Sequence, residues 1–501
     1  MDGRLLLLLH VLALLLLAVV VAAGGGAVVG RDSAVLQLRE LQWGSSGQVR
    51  TRTRSTTVLE LKHHSLTAIP DHPAAQEAYL RRLLAADEAR ANSLQLRNKA
   101  AFTQSGKKAT AAAAAAAGAE VPLTSGIRFQ TLNYVTTIAL GGGGSSRAGA
   151  GNLTVIVDTG SDLTWVQCKP CSVCYAQRDP LFDPSGSASY AAVPCNASAC
   201  EASLKAATGV PGSCATVGGG GGGGKSERCY YSLAYGDGSF SRGVLATDTV
   251  ALGGASVDGF VFGCGLSNRG LFGGTAGLMG LGRTELSLVS QTAPRFGGVF
   301  SYCLPAATSG DAAGSLSLGG DTSSYRNSTP VSYTRMIADP AQPPFYFMNV
   351  TDASVGGAAV AAAGLGAANV LLDSGTVITR LAPSVYRAVR AEFARQFGAE
   401  RYPAAPPFSL LDACYNLTGH DEVKVPLLTL RLEGGADMTV DAAGMLFMAR
   451  KDGSQVCLAM ASLSFEDQTP IIGNYQQKNK RVVYDTVGSR LGFADEDCSY
   501  A

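Results

Sequence analysis

One composite pattern occurs twice in the chain. Val155-Ile-Val-Asp158-Thr-Gly-Ser161 returns as Val370-Leu-Leu-Asp373-Ser-Gly-Thr376, and Gly277-Leu-Met-Gly280 returns as Pro470-Ile-Ile-Gly473. Each copy is an apolar strand-like run, an Asp turn carrying hydroxyls, and later two large apolar residues with Gly. A lone Asp-Thr-Gly after a strand is an ordinary turn, because Asp bonds its own backbone and Gly accepts tight geometry. The same composite repeated in the same order requires more than a turn. It implies two similar lobes joined near Asp339, each presenting one carboxylate.

The surrounding texture is that of a β protein. Of the 501 residues, 46% are hydrophobic and only 16% are charged, which excludes a largely disordered chain, while 61 glycines fit a turn-rich one. Beyond Val121, β-branched and aromatic runs broken by glycine read as strands, among them 134–140, 152–157 and 260–262. One clear helix is expected at 383–397, where Val385, Tyr386, Val389, Phe393 and Phe397 share a face. The run Gly218 to Gly224 reads as a flexible surface excursion.

The first 118 residues have a different character. After Arg4, Leu5 to Ala23 is a continuous apolar stretch ending in small residues, the pattern of a cleavable secretory signal, with a retained anchor as the alternative. Residues 1 to 118 carry 14 Lys+Arg against 8 Asp+Glu, leaving 26 against 31 for the remainder. Between Ala75 and Lys99, Tyr79, Leu80, Leu83, Leu84 and Leu94 recur at helical spacing, and Glu77 stands four residues before Arg81. A run of seven alanines, 111–117, follows. This reads as a basic helical prosegment on a loose linker, expected at neutral pH to lie against the lobes and cover the cleft, with its arginines, including Arg81, Arg82 and Arg90, near their carboxylates, and to be released on acidification. No nucleic-acid module is recognisable, and no tail of the lipid-anchor type ends the chain.

All 12 cysteines lie beyond that linker, an even number that implies disulfides in an oxidising compartment. Sequons at Asn152, Asn196, Asn327, Asn349 and Asn416 are glycosylation candidates there. Cys168, Cys171 and Cys174 form a CxxCxxC that suggests zinc, yet no companion Cys/His pair of finger spacing exists, so no metal and no cofactor is expected. Four of the five histidines, His10, His63, His64 and His72, precede the linker. A Ser/His or Cys/His hydrolase would depend on His420 alone, and the Cys264 of Phe-Gly-Cys-Gly fits a bridge better than a nucleophile.

Two carboxyls, in contrast, suffice for peptide hydrolysis. One activates a water and the other protonates the leaving nitrogen, provided the pair shares one proton. Gly160 and Gly375 leave no side chain between carboxylate and substrate, and their N–H groups are placed to donate to it. With both triplets in this context, the chain from about Thr124 onward resembles the pepsin-like aspartic proteases. The segments WVQCKPCSVCYAQRDPLFDPSGSASY, VPCNASAC, YGDGSFSRGVLATDT, FGCGLSNRGLF and FSYCLP resemble the nepenthesin-type plant branch.

That resemblance implies an all-β, bilobal pepsin-like acid protease fold, two related β-sheet lobes with a central cleft. Asp158 and Asp373 would be catalytic, and their mutual repulsion would split their pKa values, an effect known from aspartic proteases themselves. Thr159 and Ser374 would cross-bond the two loops, with Ser161 and Thr376 supporting the outer carboxylate oxygens. Tyr235 and Gly236 would belong to a flap over the substrate, the tyrosine hydroxyl held by Trp165. The pairing carried over from the branch is Cys168–Cys171, Cys174–Cys264, Cys195–Cys229, Cys200–Cys214, Cys303–Cys498 and Cys414–Cys457.

The expected organisation is a signal at 1–23, a prosegment at 24–118, an N-terminal lobe at 119–338 and a C-terminal lobe at 339–501. The expected function is a secreted aspartic endopeptidase acting at acidic pH on peptide or protein substrates. It would be a monomer inhibited by its own prosegment, without nucleic-acid partner or stable membrane anchor, and placed in the apoplast, with vacuole or plastid as alternatives. The competing function is an inhibitor or binding protein on the same scaffold.

Overall fold

The computed structural model describes residues 32–41, 72–101, 118–129, 131–141, 151–217, 226–235, 238–306, 313–320, 322, 325–366, 368–398 and 401–498. The expected signal, the alanine run, the glycine run and Gly236 lie outside them. Among the described residues no helix is long and apolar enough to cross a membrane.

Two large sheets and a small one hold most of the strands among the described residues. The larger has 15 strands and carries Gly151–Asp158 at its centre, flanked by Tyr134–Leu140 and, in parallel, by Gly277–Gly280. The second has eight strands, with Asn369–Leu372 paired in parallel to Ile471–Ile472. The downstream apolar pair of each repeat is therefore the strand that lies beside its own Asp strand. Val155, Ile156 and Val157 are all buried, as a strand covered on both faces requires. Ala119–Ser125 keeps the period of two, with Ala119, Val121 and Leu123 buried and Glu120 and Pro122 exposed.

The large sheet draws strands from both halves of the chain. Lys480–Asp485 pairs with Val299–Cys303, and Arg490–Asp495 pairs with Ser332–Arg335. The last strands thus return to the sheet that carries Asp158, although the sequence groups them with the second lobe.

Three further elements pack against the sheets. The helix Pro383–Phe397 buries Val385, Tyr386, Val389, Phe393 and Phe397. A longer helix, Pro73–Ala101, buries Leu80, Leu83, Leu84 and Leu94 against other parts of the molecule, Leu80 and Leu84 beside Val377, Ile378 and Phe408. Ahead of it, Ser33–Gln37 forms a strand antiparallel to Glu422–Pro426 and buries Leu36, an element absent from the sequence reading.

All 12 cysteines are bridged, but four of the expected pairs are wrong. Cys168 joins Cys264 rather than Cys171, because both are fully buried on adjacent strands that place the Cys168 N–H 2.9 Å from the Gly265 carbonyl. Cys171 and Cys174 sit in the exposed loop and close on each other instead of Cys174 reaching Cys264. Cys200 joins Cys229, both buried, and the more exposed Cys195 and Cys214 pair outside, replacing Cys195–Cys229 and Cys200–Cys214. Burial sorts these sulfurs, which sequence order does not show. Cys303–Cys498 and Cys414–Cys457 complete the set, the latter between directly opposed residues of the small sheet.

Candidate active site

Each apolar strand ends at its Asp, and the turn that follows folds back on the carboxylate. Asp158 accepts from the Gly160 N–H at 2.9 Å and from Ser161 Oγ at 2.6 Å. Asp373 accepts from the Gly375 N–H at 2.9 Å and from Thr376 Oγ1 at 2.6 Å. The glycines are there for space. A Cβ on Gly160 would stand 2.6 Å from Asp373 Oδ1, and one on Gly375 would run into Asp158 Oδ1.

The two turns are laced to each other. The Thr159 N–H donates to Ser374 Oγ at 3.0 Å, and the Ser374 N–H donates to Thr159 Oγ1 at 2.9 Å. Ser374 Oγ in turn donates to the Val157 carbonyl at 3.0 Å. A serine at position 374 therefore makes this cross-bond without the methyl group of a threonine. Both carboxylates are 0% exposed and face one point between the lobes.

That point is occupied by Arg90 of the Pro73–Ala101 helix. Its Nη2 lies 2.6 Å from Asp158 Oδ1, 3.1 Å from Asp373 Oδ1 and 3.0 Å from Asp373 Oδ2. Burial pushes the Asp158 carboxyl up, but the Arg90 charge and the bonds from Ser161, Arg90 and Gly160 hold it below the ordinary range. At Asp373 burial is the largest influence, and with repulsion from Asp158 it outweighs Arg90, leaving that carboxyl raised. Burial disfavours the Arg90 cation too, yet the two carboxylates more than offset this and its pKa is raised. Arg90 is thus a cation in the site and the dyad an unequal pair.

Further contacts fix the helix. Asp87, one turn earlier, accepts from the Val377 N–H at 2.5 Å, the Ile378 N–H at 3.1 Å and Arg380 Nη2 at 3.0 Å. Glu77 accepts from Arg450 Nη2 at 2.8 Å. Of the arginines expected near acidic groups of the rest of the chain, Arg90 alone among the described residues of this helix pairs with them. The Asp87–Arg380 and Glu77–Arg450 pairs run with the opposite polarity, Arg81 pairs with Glu77 of its own helix at 3.0 Å, and Arg82 is exposed.

On the other side of the cleft, Trp165 Nε1 donates to the Tyr235 hydroxyl at 3.0 Å. Phe272 packs edge-on against both rings, at 4.9 Å from Trp165 and 5.5 Å from Tyr235. Tyr235 opens a hairpin closed by its N–H to the Ser239 carbonyl at 2.8 Å, and it lines one cavity with Arg90, Gly160, Phe272 and Gly375. Sequence reasoning had Arg90 only among several arginines near carboxylates and did not single it out, nor Asp87 or Phe272, as a site residue. Phe272 lies in the FGCGLSNRGLF segment, whereas nothing local marks the other two. Of the five sequons, Asn152, Asn196 and Asn327 are exposed, and Asn349 and Asn416 are half-buried.

Comparison with known proteins agrees with this architecture. The domain families described as "Xylanase inhibitor N-terminal" and "Xylanase inhibitor C-terminal" match residues 134–320 and 345–495. An aspartyl protease family protein of Arabidopsis thaliana is 36% identical over 477 residues, covering 93% of this chain and 94% of its own. Aspartic proteinase nepenthesin-1 of Nepenthes gracilis is 33% identical over 355 residues, 69% of this chain and 75% of its own. Among solved structures, basic 7S globulin from soybean superposes with a TM-score of 0.58 at 20% identity, covering 76% of this chain and 98% of its own. An aspartic proteinase from Irpex lacteus gives 0.52 at 19%, covering 77% and 99%. At that identity both structures speak for the fold alone. The chain belongs to the plant pepsin-like aspartic proteases.

Proposed function

We propose that the chain is the precursor of a secreted aspartic endopeptidase, in which Asp158 and Asp373 activate a water for attack on a peptide carbonyl. The observation that carries this is the single nitrogen of Arg90 bonded to both carboxylates. One donor at that point reaches both acids, and with the helix gone a water is the donor of the right size. Two carboxyls this close cannot both ionise once Arg90 has left, so one takes the proton of the water while the other holds a proton for the leaving nitrogen. Thr159, Ser374, Ser161 and Thr376 fix the geometry, and Tyr235, held by Trp165, would close over the substrate.

The same contact makes the helix an intramolecular inhibitor. Arg90 fills the reaction point, so activation requires release of the helix and cutting of the 102–117 linker. Processing through the secretory route to the apoplast, or to vacuole or plastid, is part of this reading. So is the division into signal, prosegment and two lobes at residues 23, 118 and 338.

The matching domain families are named for xylanase inhibitors, which supports a binding protein on this scaffold as the second reading. Both carboxylates, their supporting hydroxyls and the flap tyrosine are retained here, which favours the enzyme. The deciding experiment treats the purified precursor at several acidic pH values and follows cleavage of a peptide library. Cleavage that is lost in Asp158→Asn and blocked by a pepstatin-like transition-state mimic supports the enzyme. Intact peptides at every pH, after verified removal of the helix, would leave the binding protein.

A further inference from the structure

We propose that Arg380, together with the Val377 and Ile378 N–H groups, forms a subsite of the cleft that binds an acidic side chain of the substrate once the helix has left. This rests on the protease reading above and deepens it by naming a substrate class. The carboxylate of Asp87 now fills that place, receiving the Val377 N–H at 2.5 Å, the Ile378 N–H at 3.1 Å and Arg380 Nη2 at 3.0 Å. Three converging donors, one of them cationic, form a receptor for a carboxylate and for little else.

The position makes it a subsite and not a remote anchor. Asp87 and Arg90 are three apart on one helix face, so the carboxylate site adjoins the dyad. Val377 follows the Asp373 turn by two residues after Gly375, and Asp87, Arg90, Gly160, Gly375 and Val377 line the same cavity. A peptide that replaces the helix between the lobes therefore passes both places.

The environment of Arg380 requires an anion. The residue is 2% exposed, its Nη1 donates to the Ile378 carbonyl at 2.7 Å, and Asp87 is its ion-pair partner. A guanidinium in such surroundings is strongly disfavoured without a counter-charge. When the prosegment departs, Asp87 leaves with it and the donors remain aimed into the cleft. Arg450, which holds Glu77, is different, because its side chain is 51% exposed and water replaces the lost partner.

The test uses the full chain activated by removal of the helix, with C-terminally amidated peptides that differ only in Glu or Gln at each position around one cleaved bond. At pH about 5.5 a Glu side chain, with its ordinary value of about 4.3, is ionised. The expected result is a kcat/KM ratio of Glu over Gln of about tenfold or more at one position, as charge-assisted bonds to a buried cation provide. Arg380→Gln should bring that ratio to about one, and Arg380→Lys should retain part of it. A wild-type ratio near one at every position, or a ratio that survives Arg380→Gln, overturns the proposal. If Arg380→Gln does not fold, Arg380→Lys and the salt dependence of the wild-type ratio carry the same decision. If the wild type cleaves nothing, the protease reading fails separately. Binding of the same peptides with a reduced scissile bond, read by fluorescence anisotropy, then still shows whether Glu is preferred over Gln.

Discussion

Asp158 and Asp373 have matching partners, a glycine N–H and a hydroxyl each, yet their pKa values move in opposite directions. The shorter contact from Arg90, 2.6 Å against 3.0 and 3.1 Å, favours the charge on Asp158, and the repulsion then falls on Asp373. Asn at either position keeps the hydrogen-bonding shape but cannot move a proton. Asp158→Asn and Asp373→Asn are expected to lower kcat by about 10²- to 10⁴-fold or more with unchanged circular dichroism. Appreciable turnover by either purified variant would remove that Asp from the mechanism. Gly375→Ala should be nearly as damaging, since its Cβ would collide with Asp158 Oδ1, and comparison of activity with thermal unfolding would separate misplacement of the dyad from loss of fold. These residues were legible in the sequence because carboxylate, glycine and hydroxyl fall within four consecutive positions. Arg90 acts from 68 and 283 residues away, and no local pattern could pair it with the dyad.

The Pro73–Ala101 helix was legible as an element from its leucine spacing, but its polarity toward the cleft was not. Overall charge suggested a basic segment on an acidic surface, whereas the contacts alternate, Arg90 outward to acids and Asp87 and Glu77 outward to arginines. The Ser33–Gln37 strand escaped notice for a related reason: five residues with a partner near position 424 carry no signal until the fold exists. The dominant pair still predicts a pH switch. Arg90 lowers both carboxyls relative to the same dyad without it, so the closed form binds fewer protons than the open form. Its stability is greatest when both acids are ionised and falls as pH drops, first through the raised Asp373 and then through the depressed Asp158. Arg90 remains charged throughout. The wild-type precursor should therefore be latent at neutral pH and open on acidification, while Arg90→Gln should open at a pH higher by about one unit or more. Activity against a small peptide, measured directly after a pH jump, reads this; coincident midpoints for the two precursors would assign latency to the apolar face and to Asp87 instead.

At the scale of the molecule, two lobes must hold their loops in register to within a hydrogen bond, and the 15-stranded sheet supplies the common frame. Arg481 lies fully buried near one end of it. From the Lys480–Asp485 strand its Nε and Nη2 donate to the two Glu496 oxygens, each at 2.9 Å, with both side chains 0% exposed. Nη2 also reaches Ser315 Oγ at 3.0 Å, and the guanidinium lies over the Tyr325 ring at 4.4 Å. Glu496 further accepts the Arg326 N–H at 3.0 Å, and Cys498 two residues on is bridged to Cys303, which stands opposite Arg481 in the ladder. The C-terminal strands are thus tied to the 303–326 segment. Removing one member of such a pair leaves the other buried and uncompensated, which costs about 3–5 kcal/mol. Glu496→Ala should lower the thermal midpoint by several degrees at neutral pH and weaken binding of a two-sided transition-state mimic, because the lobes lose their shared anchor. Arg481→Met combined with Glu496→Leu leaves no orphaned charge, so it should recover most of the stability. A double variant as unstable as Glu496→Ala would mean that the packing of Ser315 and Tyr325 around the guanidinium, and not the ion pair, holds the lobes together.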